Sequence, residues 1–150
     1  MTGVGRAALI TAAAAGATIA VDRIAKVAVE HALAPGEQAS GPFGTRIVRR
    51  SNGGGVAGSE RGSTAGRALV AGGGLLALGI AGAGVALHRP WPLQVGAGMV
   101  AGAMAANLVD RATGDHAVTD FLATPLGVVN GADLLLGAGL VLGGIGLAIR

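Results

Sequence analysis

The sequence predicts an all-α membrane protein, a four-transmembrane-helix bundle forming one domain over residues 1–150, with a polar loop outside the membrane. Of its 150 residues, 51% are hydrophobic and only 13% are charged, whereas roughly a quarter of the residues of a soluble domain are charged. Apolar stretches occupy residues 4–21, 68–87, 93–109 and 126–149. Each approaches the ~20 residues that a helix needs to cross ~30 Å of hydrocarbon.

The first stretch has an alternative interpretation as a cleaved signal peptide, because Arg6 precedes an Ala-rich run. Against this, Asp22, Lys26 and Glu30 follow at i, i+4 and i+8, which is the spacing of one helix face. We therefore expect the helix to continue beyond residue 21. The glycine pairs 98/102 and 139/143 have the small-xxx-small spacing of close helix contact, within the bundle or, less favoured, at a homodimer face.

Residues 34–66 are rich in Gly, Ser and Arg and are too polar for lipid, so they form the predicted extramembrane loop. The link His88-Arg89-Pro90-Trp91-Pro92 is short, basic and carries an interfacial Trp. We expect this link and both termini to be cytoplasmic. The loop arginines oppose this orientation under the positive-inside rule, and they are Arg46, Arg49, Arg50, Arg61 and Arg67.

Several function classes are poorly supported. No cysteine is present, which excludes thiolate nucleophiles and Cys-based metal sites. The net charge of +3 comes with one Trp and two Phe, too few for stacking on bases, so no nucleic-acid partner is expected. The serines of the loop have no histidine at a suggestive spacing. His116 lies near Asp115 and Asp120 but is expected to be a solvated loop residue, so we predict no metal and no cofactor.

Polar residues cluster at the ends of the predicted spans that reach one membrane face. Asp22 and Lys26 follow the first span, while Asn107, Asp110 and Arg111 end the third; Asp120 precedes the fourth, and Asn130 and Asp133 lie in its opening turns. Ionisable groups at such positions are costly and are functional candidates by default. Local pairing of Asp22 with Lys26 and of Asp110 with Arg111 would be a structural role for those four residues.

Asp120 and Asp133 have no such compensating cation. Two carboxylates in a low-dielectric site share one proton, since both cannot ionise together. The ionised member then takes a proton from an attacking water, and the neutral member donates one to the developing oxyanion. A carboxylic pair kept for proton or ion passage is the alternative.

Five short blocks resemble, in order, those of the lipoprotein signal peptidases, also called signal peptidase II. The blocks are Asp22-Arg23-Ile24-Ala25-Lys26, Asn52-Gly53-Gly54, Asn107-Leu108-Val109-Asp110-Arg111, Val118-Thr119-Asp120-Phe121 and Asn130-Gly131-Ala132-Asp133. The resemblance spans residues 22–133. It implies an intramembrane aspartic endopeptidase that cleaves prolipoproteins before a cysteine carrying diacylglycerol.

By this resemblance, Asp120 and Asp133 are the catalytic pair. Residues expected to bind substrate or support the site are Asn52, Asn107, Arg111, Asn130, Asp22, Lys26 and Asp110. The loop at residues 34–66 would be the family's small extramembrane β-cradle between the first two helices. The expected partners are prolipoproteins with a diacylglyceryl-cysteine and membrane lipids, with the protein a monomer in the bacterial inner membrane and its active site near the outer face.

This chain departs from the family pattern at Ala25, Ala106 and Val129, and its loop block lacks a Phe. These departures leave two alternatives, a degenerate homologue that binds lipopeptides without cleaving them and a small transporter or proton-conducting subunit. Retention of both aspartates opposes the first. The second needs charges distributed through the membrane rather than gathered at one face.

Overall fold

The computed structural model describes residues 2–52, 72, 75–76, 78–83, 85–86, 90–113, 118–125 and 127–149. Over these residues the long helices are α1 (Gly3–Ala32), α2 (Trp91–Ala112) and α3 (Gly131–Ala148). The strands β1 (Gln38–Ser40), β2 (Arg46–Asn52), β3 (Val118–Thr124) and β4 (Gly127–Val129) form one antiparallel sheet in that order. Each of the three helices is long and apolar enough to cross a bilayer. The protein is therefore a mostly helical membrane protein with a small sheet.

Of the 20 residues of the predicted second span, 68–87, the structure describes 11. Those of its residues that are described, between positions 72 and 86, are all helical. The other three predicted spans correspond to α1, α2 and α3. Helix α1 continues to Ala32, as the spacing of Asp22, Lys26 and Glu30 predicts.

Glycines let α1 and α2 approach to backbone contact. A Cβ built on Gly98 would lie 2.4 Å from the carbonyl oxygen of Thr11, and one built on Gly102 would lie 2.5 Å from that of Ala15. At the same interface the Thr11 hydroxyl donates to the Gln94 carbonyl oxygen at 3.3 Å. The first predicted glycine pair is thus used for packing within the bundle.

Helix α2 is the central helix. In its apolar 18-residue stretch, 61% of the residues are buried, against 17% in the corresponding stretch of α1 and 22% in that of α3. On the side facing α3, a Cβ built on Gly96 would lie 2.5 Å from the Gly143 nitrogen, and one built on Gly139 would lie 2.9 Å from the Met99 Cβ. The second glycine pair therefore packs on α2, so α2 is close to both neighbours.

Two predictions were wrong: that the sheet comes from residues 34–66 alone, and that the fourth span begins at residue 126. Only β1 and β2 come from the predicted loop, because β3 and β4 lie between α2 and α3. Residues 127–129, predicted to begin the fourth span, pair with β3 instead, and α3 begins at Gly131. Gly127 makes the tight return possible, since its φ of +134° is readily adopted only by glycine. Two β-branched valines follow it in β4.

The sheet is held against the end of α1. The Arg49 guanidinium on β2 donates to the carbonyl oxygens of Glu30 and Leu33, both at 3.0 Å, in and just after the last turn of α1. A cation satisfies these carbonyls and is favoured by the helix dipole there. The Thr119 hydroxyl on β3 donates to the Glu30 carboxylate at 2.7 Å. Both inner strands are thereby fixed to one helix end.

Candidate active site

Asp120 is a buried carboxylate on β3, with only 3% of its surface exposed. Each of its oxygens accepts one hydrogen bond from a side-chain amide. The Asn52 Nδ2 donates to Oδ2 at 2.9 Å, and the Asn130 Nδ2 donates to Oδ1 at 2.9 Å. Antiparallel pairing of β2 with β3 brings Asn52 next to Asp120 although 68 positions separate them.

Burial raises the pKa of the Asp120 carboxyl above its ordinary value of 3.8. Desolvation is the largest cause, because removing a charge from water favours the neutral acid. The hydrogen bonds from Asn130 and Asn52 act in the opposite direction, the nearby Asp133 raises the pKa further, and Lys26 lowers it. The site thus favours a protonated Asp120 without leaving its oxygens unpaired.

Asp133 lies in the first turn of α3, and its side chain is exposed. It forms a capping box with Asn130, whose side chain accepts from the Asp133 N–H at 3.0 Å while its own N–H donates to the Asp133 Oδ2 at 3.3 Å. The Asn107 Nδ2 donates to the other carboxylate oxygen, Oδ1, at 3.2 Å. Asn130 therefore contacts both aspartates, and links a buried carboxylate to an exposed one.

A buried ionic cluster lies behind these carboxylates. Lys26 on α1 forms ion pairs with Asp22 and Asp110, each at 2.5 Å. The pair with Asp22 has the predicted i, i+4 spacing. Asp110, for which its neighbour Arg111 is the expected partner, is paired with Lys26, because the close approach of α1 and α2 places the two within reach. Asp22 also accepts from the Ala132 N–H at 2.7 Å, which joins α1 to α3.

The predicted convergence of polar groups at one end of the bundle is confirmed. Ion pairs and hydrogen bonds join the end of α1, the end of α2, β3 and the start of α3. Seven of the nine predicted site residues take part in them: Asp22, Lys26, Asn107, Asp110, Asp120, Asn130 and Asp133. The eighth, Asn52, arrives from β2. Arg111 is half-buried in the last turn of α2.

Sequence reasoning did not single out Glu30, Arg49 or Thr119 as residues that hold the sheet against α1. The only available signal was the spacing of Glu30 from Lys26. Thr119 and Ser51, the neighbours of Asp120 and Asn52 along their strands, line a cavity of about 810 Å³ together with charged side chains. The described lining of this cavity includes neither Asp120 nor Asp133. Successive side chains of a strand point to opposite faces, so the cavity lies on the other side of the sheet from Asp120.

No group of three His, Cys, Asp or Glu side chains among the described residues could hold a metal ion. The candidate metal ligands His116 and Asp115 lie outside the described residues. At Asp120 and Asp133 the hydrogen-bond donors are side-chain amide N–H groups of Asn52, Asn107 and Asn130. Such donors bind and orient carboxyl oxygens.

Known proteins are similar to this chain in sequence and in fold. The family model described as signal peptidase (SPase) II matches residues 14–149. A solved bacterial membrane enzyme, determined by the in meso method at 1.9 Å, is similar with a TM-score of 0.78 and 20% identity, covering 97% of this chain and 94% of that one. A second, at 2.3 Å, has a TM-score of 0.69 and 18% identity, covering 96% and 88%.

No curated protein sequence matches the chain. At these identities the solved structures establish the fold, which this chain shares over nearly its whole length. The family model covers well over half of the chain and includes every residue of the candidate site. The chain therefore belongs to the signal peptidase II family, the lipoprotein signal peptidases of bacterial membranes.

Proposed function

We propose that Asp120 and Asp133 are the catalytic dyad with which this lipoprotein signal peptidase cleaves diacylglyceryl-modified prolipoproteins before the lipidated cysteine. One observation carries the proposal. A buried carboxylate with a raised pKa and an exposed carboxylate are joined through a single residue, Asn130. Two acids in such different environments suit the two opposite roles of acid and base.

In the proposed reaction the dyad shares one proton. The ionised carboxylate takes a proton from water while the water oxygen bonds to the scissile carbonyl carbon. The neutral carboxyl gives its proton to the carbonyl oxygen, which forms a tetrahedral intermediate. As the carbon–nitrogen bond breaks, the carboxyl that took a proton from water gives it to the nitrogen of the lipidated cysteine, which leaves as a free amine. The other carboxylate takes back a proton from a hydroxyl of the intermediate, so the dyad again holds one proton. Burial favours the neutral form of Asp120, so in this proposal Asp120 is the acid and Asp133 is the base.

The remaining site residues have supporting roles in this proposal. Asn52 and Asn130 hold Asp120, and Asn107 holds Asp133, each through the bonds described above. Asp22, Lys26 and Asp110 join the helices behind the dyad. We assign Arg111, in the last turn of α2, to substrate binding.

The helix directions support the four-span bundle. Thr11 contacts Gln94 near the start of both helices, and Lys26 contacts Asp110 near the end of both, so α1 and α2 run parallel. The chain leaves α1 at the sheet and enters α2 at the opposite end. The segment between them must therefore return across the bilayer, which residues 68–87 are apolar enough to do.

Four spans place both termini on one side of the membrane. We propose that this side is cytoplasmic and that the dyad and sheet lie near the outer face, in a single domain that acts as a monomer. Among the loop arginines that oppose this orientation, Arg49 has a structural reason to lie there, because it bonds the carbonyl end of α1.

The test is cleavage of a diacylglyceryl-modified prolipoprotein by the purified protein in detergent or lipid. Asp120→Asn and Asp133→Asn each remove one titrating group and are expected to lower the rate by more than about 10³-fold. Glu37→Gln is the matched control, since this exposed carboxylate bonds only the Ala34 N–H among the described residues. The control should cleave like the wild type.

If the wild type binds the lipidated precursor without cleaving it, the degenerate lipopeptide-binding alternative replaces this proposal. Cleavage that survives in both Asn variants would refute the dyad while leaving family membership intact. Proton or ion flux through vesicles that requires both aspartates, without cleavage, would support the transporter alternative.

A further inference from the structure

Lys26 is the chain's single lysine and is fully buried, with 0% of its surface exposed. Its ammonium group lies between the carboxylates of Asp22 and Asp110. Two negative charges thus face one positive charge, so the cluster does not present a net cation to the dyad. An ammonium that acts on the active site from this position does so through the direction of its hydrogen bonds more than through its charge.

The third hydrogen bond of the ammonium goes to Asn107, whose Oδ1 accepts from the Lys26 Nζ at 3.4 Å. The same oxygen accepts from the Asn130 Nδ2 at 3.2 Å. An ammonium has only donors, and the Asn130 amide nitrogen is also a donor. The oxygen of Asn107 must therefore face Lys26, and its nitrogen must face the other way.

The nitrogen of Asn107 donates to the Asp133 Oδ1 at 3.2 Å. Were the amide rotated by half a turn, its oxygen would meet the carboxylate oxygen and its nitrogen would meet two donors. Both contacts would be repulsive. The orientation that Lys26 imposes is the one in which Asn107 binds an ionised Asp133.

We propose that Lys26 is a positioning residue for Asp133, acting through Asn107, whose amide it orients so that an N–H points at the carboxylate. This inference rests on the proposed function, in which Asp133 belongs to the dyad. Lys26 itself does not touch the reacting atoms.

The same ion pair also sets where α3 begins. Asp22 pairs with Lys26 through Oδ2 and accepts from the buried Ala132 N–H through Oδ1. A Cβ built on Gly131 would lie 3.1 Å from that Oδ1. Ala132, the residue before Asp133, is thus bonded to Asp22, which pairs with Lys26. These bonds fix the position of Asp133 relative to Lys26.

The test compares Lys26→Met, Lys26→Arg and Asn107→Leu in cleavage of a lipidated prolipoprotein, with kcat and KM measured from acid to neutral pH. Lys26→Met and Asn107→Leu are expected to lower kcat by about ten- to a hundred-fold, the loss expected for one hydrogen bond to a charged group. KM should change little. The acidic limb of the pH–rate profile should move to higher pH, because the ionised carboxylate loses a donor. Lys26→Arg, which retains donors, should recover part of the rate.

Charged groups from several elements lie in this carboxylate region, namely Asp22 and Lys26 on α1, Asp110 on α2 and Asp120 on β3. Arg111 follows Asp110 in the last turn of α2. Asp110→Asn is therefore the control. It disturbs the same ionic cluster and should lower thermal stability, but it leaves the donor to Asn107 in place. Its acidic limb should coincide with that of the wild type.

Asn107→Leu keeps both ion pairs, so it tests the inference even if Lys26→Met does not fold. The double variant gives the sharpest result, since Lys26→Met should add no further shift of the acidic limb once Asn107 is Leu. A wild-type limb in Asn107→Leu, or an equal shift in Asp110→Asn, would overturn the inference. Failure of the dyad itself is separate, because it would appear as retained cleavage in Asp133→Asn.

Discussion

The contact between α1 and α2 can be tested by adding one methyl group at Gly102. A Cβ at this position would lie 2.5 Å from the Ala15 carbonyl oxygen and 2.8 Å from the Ala15 Cα, both backbone atoms that no side-chain rotation can move. Ordinary contact begins at 3.4 Å, so the helices must separate by about 3.4 − 2.5 = 0.9 Å. Overpacking of this kind costs about 1–3 kcal/mol.

The separation should also reach the active site. Asn107 lies five positions after Gly102, about 7.5 Å along the helix axis. A widening of 0.9 Å added to the 3.4 Å bond between Lys26 and Asn107 would take it beyond hydrogen-bond range. Gly102→Ala is therefore expected to lower both stability and activity.

The assay is the thermal unfolding midpoint of the purified protein, measured together with the cleavage rate. At about 2–4 °C per kcal/mol, Gly102→Ala should lower the midpoint by several degrees. Gly137→Ala on α3 is the matched control, because a Cβ there has none of the described residues within 4 Å, and it should leave the midpoint unchanged or raise it slightly. An unchanged midpoint and rate in Gly102→Ala would refute the close packing of α1 on α2.

Three further predictions concern the sheet and Asp120. Asn52→Leu removes one of the two amide donors to Asp120, so its pKa should rise further, and the alkaline limb of the pH–rate profile should move to higher pH. Because the pKa of Asp120 is raised in the folded state, protonation of this carboxyl contributes stability below pH 3.8, and that stability is lost as the pH rises through the raised pKa. The thermal midpoint of the wild type should therefore fall over that pH range, and that of Asp120→Asn should fall less. Gly127→Ala should lower the midpoint by an amount corresponding to about 1–3 kcal/mol, since a non-glycine residue at φ +134° is strained although a Cβ would meet none of the residues that the structure describes. A wild-type midpoint would show that the β3–β4 return adapts.

The helices and the polar end of the bundle could be predicted from the sequence because each leaves a local signal. Apolar runs of bilayer length mark the spans, and charges at their ends mark one face. The pairing of Asp22 with Lys26 follows from i, i+4 spacing. The resemblance at five short blocks adds the family and its expected catalytic pair.

The second half of the sheet could not be predicted in this way. Residues 121–129 form an apolar run that hydropathy alone does not distinguish from the start of a helix. Strand pairing with β2, and the return at Gly127, decide the outcome, and both depend on tertiary contacts. Asp120 is therefore on a strand, where its neighbour in space is Asn52.

Contacts between helices could not be predicted from the sequence either. Spacing along the chain suggested only Arg111 as a partner of Asp110, and the ion pair with Lys26 arises from helix packing. The role of Asn130 as a cap that contacts both aspartates depends on where α3 begins, which differs from the predicted start by five positions. Distances of this kind follow from packing, for which one sequence carries no local pattern.

The pH dependence of kcat/KM for cleavage of a lipidated prolipoprotein tests the central claim most directly. A dyad that works with one proton shared between Asp120 and Asp133 predicts a bell-shaped profile, with an acidic limb for loss of the ionised base and an alkaline limb for loss of the proton on the acid. Removal of either aspartate should abolish the profile together with the activity. A rate that rises through a single step to a plateau with no alkaline limb, or a bell that persists in Asp120→Asn, would contradict the account.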